Sequence, residues 1–416
     1  MLETLLQQAR LVLENNWNGR FIQSVPGCYP HQWNWDAAFS AIGCAHTNMS
    51  HAETSLRHLV GAQWSNGMVP QAVFGEEADE QRFPGPGFWQ ASRAPQAPAS
   101  ANTSGLTMPP VFGFVLWRIY EIAQDEKRAR AFLREMYPKV MAYHRYLYNY
   151  RDPLEEGLPY INHPWEGGPV HSPAWDGILE SIDTGEASQG PDSRHLHLAA
   201  FNRNLAYNDE AIFGQSPFIV QDPLFNGLLA WSNECLIHIG ALLKEDVTEA
   251  VQWDELTKYS INEKLWDESR GIYRAYDLRN QRLLPHYSSH GLMPLVGDVP
   301  TQEQAEKILL TLQSSLFGGK RNDIFLCPVY GLTGADVEPR IDSVRIDMNW
   351  LLVQGLRRYE MYEMAQRIRR HSLELLEQHG LYTHFSHRRG EAGGTAREDS
   401  ESSIAAALCI DLLTGE

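Results

Sequence analysis

The sequence predicts an all-α protein, specifically an (α/α)6 toroid built from six helical hairpins, and three observations lead there. Apolar residues recur at helical spacing along most of the chain and strand-like alternation is scarce, giving roughly a dozen helices about 35 residues apart. Loops rich in aromatic and acidic residues recur between those helices. No motif returns at a fixed period, which argues against an α-solenoid. Inner helices ringed by outer ones, with the loops gathered into a pocket at one end, is the economical way to bury so many amphipathic faces. Residues 1–416 then form a single domain, since barrel folds exceed the usual domain size.

Residues 2–15 carry leucine at helical spacing, and acidic Glu3 with no apolar stretch behind it separates this start from a signal peptide. The chain breaks at Pro26-Gly27 and enters Tyr29-Pro30-His31-Gln32-Trp33-Asn34-Trp35-Asp36. A helix is predicted from residue 37 to about 64, closed by the turn Ser65-Asn66-Gly67-Met68-Val69-Pro70-Gln71. Residues 75–106 read as a lid-like loop, long, rich in Pro and Gly, and carrying Phe83, Phe88 and Trp89. Helices follow at about 108–124, 128–150 and 177–185, and then the pattern is lost as far as Ser216-Pro217-Phe218. Asp222-Pro223 opens the next helix with proline in its first turn, running to about 243. Further helices are predicted at about 249–265, 301–315, 347–360, 361–379 and 402–413, with Gly380 stopping the penultimate one. Glycine turns at 267–271 and 388–391 predict small hairpins.

A formal net charge of -17 disfavours nucleic acid and anionic membrane surfaces as partners. No apolar run is long enough to span a bilayer. Cys28, Cys44, Cys235, Cys327 and Cys409 are scattered, odd in number and without a CxxC pair, so they read as reduced thiols of a cytoplasmic protein. His163, His171 and Glu166 share one loop at irregular intervals that fit hydrogen bonding better than metal ligation, and neither metal nor cofactor is expected. Twelve Trp and seventeen Tyr favour a carbohydrate ligand over a phosphorylated one. The sequence is compatible with a homo-oligomer.

The densest loop is His163-Pro164-Trp165-Glu166-Gly167-Gly168-Pro169-Val170-His171-Ser172-Pro173-Ala174-Trp175-Asp176. Indole faces stack on the C–H faces of pyranose rings, and a carboxyl wedged among them is pushed towards general-acid duty by desolvation. Asp176 is the candidate acid. The alternative is a structural loop whose indoles plug the core and whose aspartate caps the next helix.

These segments resemble the bacterial branch of glycoside hydrolase family sixty-three, in particular its mannosylglycerate and glucosylglycerate hydrolases. The resemblance is carried, collinearly, by Trp33-Asn34-Trp35-Asp36-Ala37-Ala38-Phe39, Gly67-Met68-Val69-Pro70, Ser104-Gly105-Leu106-Thr107-Met108-Pro109-Pro110, the two halves of the 163–176 loop, Ser216-Pro217-Phe218 with Asp222-Pro223-Leu224-Phe225-Asn226, and Asn349-Trp350-Leu351-Leu352. It implies the same toroid and inverting hydrolysis of an α-glycosidic bond in a small glycoside, with Asp176 as general acid. Trp33, Trp35 and Asp36 then fall on the subsite for the non-reducing sugar, and Gln71, Trp165, Glu166, Trp175, Asn349 and Trp350 complete the implied substrate-binding set.

Two departures stand out. Inversion needs a second carboxylate about 6.5–9.5 Å from the acid, to activate water. The family's base is a glutamate in a Tyr-Glu-Tyr-Phe-like segment, whereas this chain has Tyr382-Thr383-His384-Phe385. Glu391, Glu398, Glu401 and His384 are the nearby substitutes, and Glu401 is preferred because the following helix N-terminus would keep it ionised; a solvent-facing partner of that helix dipole is the plainer reading. The segment that helps recognise glycerate in the family is also changed, to Arg340-Ile341-Asp342-Ser343-Val344-Arg345-Ile346-Asp347-Met348, and Met108 replaces a glutamine. Arg345 and Asp347 either form a polar subsite or pair with each other. The reading is therefore an inverting α-glucosidase or α-mannosidase, against two alternatives: an inverting phosphorylase or transferase with an anionic nucleophile, and a sugar-binding protein without turnover.

Overall fold

The computed structural model describes residues 2–27, 30–75, 83–168, 173–183, 193–319, 325–332, 343–387 and 401–415. In chain order the helices are α1 Leu2–Asn15, α2 Asn34–Thr47, α3 Met49–Gly61, α4 Pro86–Trp89, α5 Phe112–Ile122, α6 Glu126–Tyr150, α7 Asp176–Leu179, α8 Ser193–Asn204, α9 Asp209–Gln215, α10 Pro223–Leu243, α11 Thr248–Leu265, α12 Gln302–Gln313, α13 Ile346–Arg358, α14 Tyr362–His379 and α15 Ser403–Thr414, with a 3-10 helix at Ser289–Gly297. Strands are two residues long and serve the loops. β1 (Gln32–Trp33) pairs with β2 (Ala72–Val73), β3 (Val220–Gln221) with β6 (Tyr276–Asp277) and through it β7 (Arg282–Leu283), β4 (Trp266–Asp267) with β5 (Ile272–Tyr273), and β8 (Val344–Arg345) with β9 (His384–Phe385), all antiparallel.

Six elements close a ring. α2 packs on α5, α5 on α10, α10 on the 3-10 helix, that helix on α13, α13 on α15, and α15 back on α2. The outer helices lie against this ring: α1 on α15, α3 on α2, α6 on α5 and α10, α11 on α10, and α14 on α13. This is the (α/α)6 toroid. Each outer helix runs on into the next inner element through a long connection, at 16–33, 62–111, 151–222, 266–288, 314–345 and 380–402, whereas the returns at 48, 123–125, 244–247, 298–301 and 359–361 are short. Alternation of direction therefore gathers the long loops, and the N-termini of the inner helices, at one end.

The ring closes tightly because glycine sits where inner helices cross. A Cβ on Gly43 of α2 would fall 2.2 Å from the Ala407 Cα of α15, and one on Gly113 of α5 would fall 2.4 Å from the Ser232 carbonyl oxygen of α10. The axis is filled by aromatics: Phe114 stacks on Trp231 with centroids 4.1 Å apart, and Trp350 lies 6.3 Å from Phe114 and edge-on to Phe39.

Four elements differ from the sequence expectation, one being the helix expected over 177–185, which is the single turn α7 in its described part. The helix expected over 37–64 is two helices, because Asn48 caps α3 by accepting the Ser50 and His51 amides at 3.1 and 3.4 Å. The region without a clear pattern holds α8 and α9. The fourth inner element has no counterpart in the sequence reading; Gly291, Pro294 and Gly297 spoil its α-periodicity, so it coils as a 3-10 helix. The described part of the 75–106 loop is anchored, with Arg203 donating to the Phe88 carbonyl at 2.8 Å and Trp89 buried edge-on to Trp165. Cys44, Cys235, Cys327 and Cys409 are free and buried, while Cys28 and the 388–391 turn lie outside the described residues.

Candidate active site

The site is built at the loop-rich end, on the first turns of α2, α13 and α15. β1 leads into α2 with Trp33 opposite Ala72, and the Asn34 amide donates to the Gln71 carbonyl at 2.8 Å, so the 62–75 turn and the start of α2 form one wall. Gln71 reaches on to the Trp165 carbonyl at 3.2 Å. Trp33 and Trp165 are both partly exposed on this wall.

Asp36 follows in the first turn of α2, partly accessible, with Ser24 Oγ donating to its Oδ1. Burial pushes its carboxyl up to about 6, against the lowering effects of the Ser24 hydrogen bond and of Arg345. Arg345, the last residue before α13, is held by Asp347 through two hydrogen bonds, Nε to Oδ1 at 3.0 Å and Nη2 to Oδ2 at 2.6 Å. Trp35 Nε1 donates to the same Asp347 at 2.9 Å, which ties α2 to α13. Burial works against the Asp347 charge, yet Arg345 and these hydrogen bonds hold its carboxyl below the usual range.

Next to this cluster lies the segment before α15. The Ile346 amide donates to the Thr383 carbonyl at 2.9 Å, and Thr383 Oγ1 donates to Ser402 Oγ at 2.8 Å. The Ser403 amide donates to the Ser24 carbonyl at 2.9 Å. Ser24, the residue that holds Asp36, is thus held by the start of α15. Neither Ser24 nor Ser402 was singled out by sequence; the Ser402-Ser403 pair before an apolar run is the one local signal. Glu401 is exposed, and its Oε1 accepts the Leu381 amide at 3.3 Å. His384, opposite Arg345 in the β8–β9 pair, is pushed down to about 4 by burial and then by Arg345, so near neutral pH it carries no charge.

Across the ring, Trp175 is buried edge-on to Phe218 and His290, with centroids 5.9 and 6.1 Å away. Its indole presses on Gly167, where a Cβ would come within 2.6 Å of the ring. His290 donates Nδ1–H to Asp222, the cap of α10, at 2.9 Å. Asp176 begins α7 directly after Trp175 and is half-buried. The loop that carries Asp176 therefore lies over α10 and the 3-10 helix, in the half of the ring opposite α15 and α2.

Of the expected substrate contacts, Glu166, Asn349 and Trp350 are fully engaged inside the fold, and Trp175, though buried, lines a cavity with Asp222 and His290. Glu166 is 0% exposed: its carboxylate takes Arg151 Nη1 and Nη2 at 2.9 Å each, the Thr107 amide at 3.1 Å and the Asn162 amide at 2.9 Å. No lone pair is left for a sugar. Asn349 is buried and fixes the 325–332 segment, donating to the Leu326 carbonyl at 2.8 Å and accepting the Cys327 amide at 2.9 Å. Trp350 is 1% exposed in the axial stack, with Nε1 donated to Asp411 at 2.9 Å. Trp175 is equally buried and anchors the loop that carries Asp176. Trp33, Asp36, Gln71 and Trp165 are gathered at the loop-rich end, and Trp35 backs them by orienting Asp347. Glu391, Glu398 and His171 lie outside the described residues. Among the described residues no His, Cys, Asp or Glu cluster is arranged to hold a metal ion, and no helix is long and apolar enough to cross a membrane.

A family model for the mannosylglycerate hydrolase MGH1-like glycoside hydrolase domain matches residues 29–322. The chain is 33% identical to a mannosylglycerate hydrolase of Rubrobacter radiotolerans, over 99% of this chain and 97% of that one. It is 29% identical to a glucosylglycerate hydrolase of Mycolicibacterium hassiacum, over 98% and 97%. A crystal structure of the family 63 mannosylglycerate hydrolase of Thermus thermophilus, in complex with Tris and D-glycerate, superposes with a TM-score of 0.88 at 32% identity, covering 98% of this chain and 99% of that one. With the toroid, the aromatic wall and a match running through both, the chain belongs to the MGH1-like glycoside hydrolases of family 63.

Proposed function

We propose that this glycoside hydrolase acts on a small α-glucoside or α-mannoside with inversion, Asp176 protonating the leaving oxygen and Glu401 activating water. The observation that carries the reading is the opposition of two carboxylate-bearing sectors over the ring. The Trp175–Asp176 loop covers α10 and the 3-10 helix, and the Asp36 and Glu401 sector stands at the starts of α2 and α15. Relatives named for mannosylglycerate and glucosylglycerate support a hexopyranoside as the glycone. A glycerate aglycone is not carried over, because the guanidinium of Arg345 is already neutralised by Asp347.

The test is anomeric-resolved proton NMR of α-glucosides and α-mannosides incubated with the chain. Free β-sugar released without phosphate is the expected product, and Asp176→Asn should lower kcat by about 10²–10⁴-fold while leaving sugar affinity in place. Retained α-product sinks the inverting mechanism. A second reading, sugar binding without turnover, is favoured by one observation: Glu401 is exposed and its carboxylate is taken up by the Leu381 amide, while the sequence resemblance implies a threonine, Thr383, at the family's base position. Saturable sugar binding with no product on the whole panel would select it.

A further inference from the structure

We propose that Arg345 is a sugar-binding residue of this chain, its guanidinium and the Asp36 carboxylate together gripping two adjacent hydroxyls of one pyranose ring. The inference rests on the reading of this end of the toroid as the glycoside site, and not on turnover there.

The geometry supplies both halves of the grip. A guanidinium offers five N–H donors in a planar fork. Asp347 occupies the edge formed by Nε and Nη2, at 3.0 and 2.6 Å, and leaves Nη1 with no protein acceptor among the described residues. The Arg345 side chain remains 23% exposed, while Asp347 behind it is 1% exposed and fixed by Trp35 Nε1 at 2.9 Å and the Met348 amide at 2.9 Å. The fork is therefore preorganised by Asp347 while part of the Arg345 side chain stays accessible. On the acceptor side, Asp36 takes one side-chain donor among the described residues, Ser24. The charges of Asp36 and Arg345 act on each other, Arg345 lowering the Asp36 carboxyl and Asp36 raising the Arg345 guanidinium.

Vicinal hydroxyls suit such a pair because one donates to the carboxylate while its neighbour accepts from the fork. The ligand class follows from the charge count. Asp36, Arg345 and Asp347 sum to one negative charge when both carboxylates are ionised, so the cluster favours the neutral face of a sugar over a second carboxylate.

The experiment is calorimetric titration of the full chain with methyl α-glucoside, methyl α-mannoside and their singly deoxygenated analogues. The proteins are wild type, Arg345→Gln, and the double variant Arg345→Gln/Asp347→Asn, which removes both charges and avoids stranding a buried carboxylate. Affinity should fall about tenfold in each variant, and for the analogue lacking the hydroxyl that Arg345 serves, wild type and variants should converge within about twofold. Variants that bind the parent glycosides within about twofold of wild type overturn the role of Arg345 and leave the sugar site standing. A wild type that binds none of the glycosides overturns both. Binding without hydrolysis leaves this inference intact and removes the hydrolytic one.

Discussion

Asp36 carries the sharpest conflict between stability and function in the molecule. A carboxyl pushed up to about 6 by burial holds its proton more tightly folded than unfolded. Folding stability from this group is therefore greatest below about pH 4, is lost as pH rises to 6, and stays lost above it. Asp36→Asn removes the ionisation. We expect the variant to be more stable than wild type at pH 7.5, by about 1–2 kcal/mol after allowing for the partial exposure of the carboxyl, with no gain at pH 4. Chemical denaturation at the two pH values measures this, and a variant less stable at pH 7.5 would show that the charge is a net stabiliser. Sugar affinity should move the other way, falling in the variant and, in wild type, falling below about pH 6 as Asp36 takes up its proton. The groups facing Asp36 are Ser24, Arg345 and Asp347, with His384 beside Arg345. Asp347 is held below the usual carboxylate range and His384 is down at about 4, so Asp36 is the group of this set that titrates near pH 6, with His384 following at the acid end.

At the level of elements, the loops are held by buried ion pairs whose partners lie far away in the chain. Glu166 accepts two hydrogen bonds from Arg151 at the end of α6 and one from the Thr107 amide before α5, and Arg151 also reaches Asp209 of α9 at 2.7 Å. Glu166→Gln leaves Asp209 as the one carboxylate among the described residues paired with the buried guanidinium, and should cost about 3 kcal/mol in stability. A loss of sugar affinity at full folding, with stability unchanged, would instead restore Glu166 to the pocket. The sequence could not separate these roles. Glu166 sits between Trp165 and Gly167 in a loop of pocket-like composition, and only the fold reveals Arg151 beneath it. Asn349 and Trp350 were misplaced for the same reason, since a helix start reads alike whether it faces the pocket or the axis. What was legible was local. Trp33, Asp36 and Gln71 stand at the junction of a turn and a helix start, and Asp222-Pro223 announces its own cap. The fourth inner element was illegible because its 3-10 geometry carries no 3.6-residue period.

The whole molecule separates these demands between its two ends. The loop-rich end concentrates incompletely satisfied charge on the first turns of inner helices, whereas the closed end is fastened by Asp411 near the end of α15. Its carboxylate accepts His46 Nε2 from α2 at 2.9 Å, Arg118 Nε and Nη2 from α5 at 3.1 and 2.9 Å, and Trp350 Nε1 from α13 at 2.9 Å. One carboxylate thus joins four of the six inner elements. Burial opposes its charge, but the His46 hydrogen bond and Arg118 hold its carboxyl below the usual range. The sign is opposite to that of Asp36: the stability Asp411 contributes is present above the unfolded-state carboxylate pKa and is lost as pH falls through its depressed folded value. Asp411→Ala leaves the Trp350 indole N–H without its acceptor and Arg118 with Glu121 as its one carboxylate partner among the described residues, and should destabilise the chain by about 3 kcal/mol near neutral pH, while sugar affinity of the folded fraction stays within about twofold of wild type. Denaturant unfolding and calorimetric titration at about 25 °C read the two quantities separately. Set beside Asp36→Asn, which should gain stability and lose affinity, the pair tests whether the ring insulates its fastened end from its working end; a large affinity loss in Asp411→Ala would mean that the aromatic axis of Phe39, Phe114, Trp231 and Trp350 transmits strain between them.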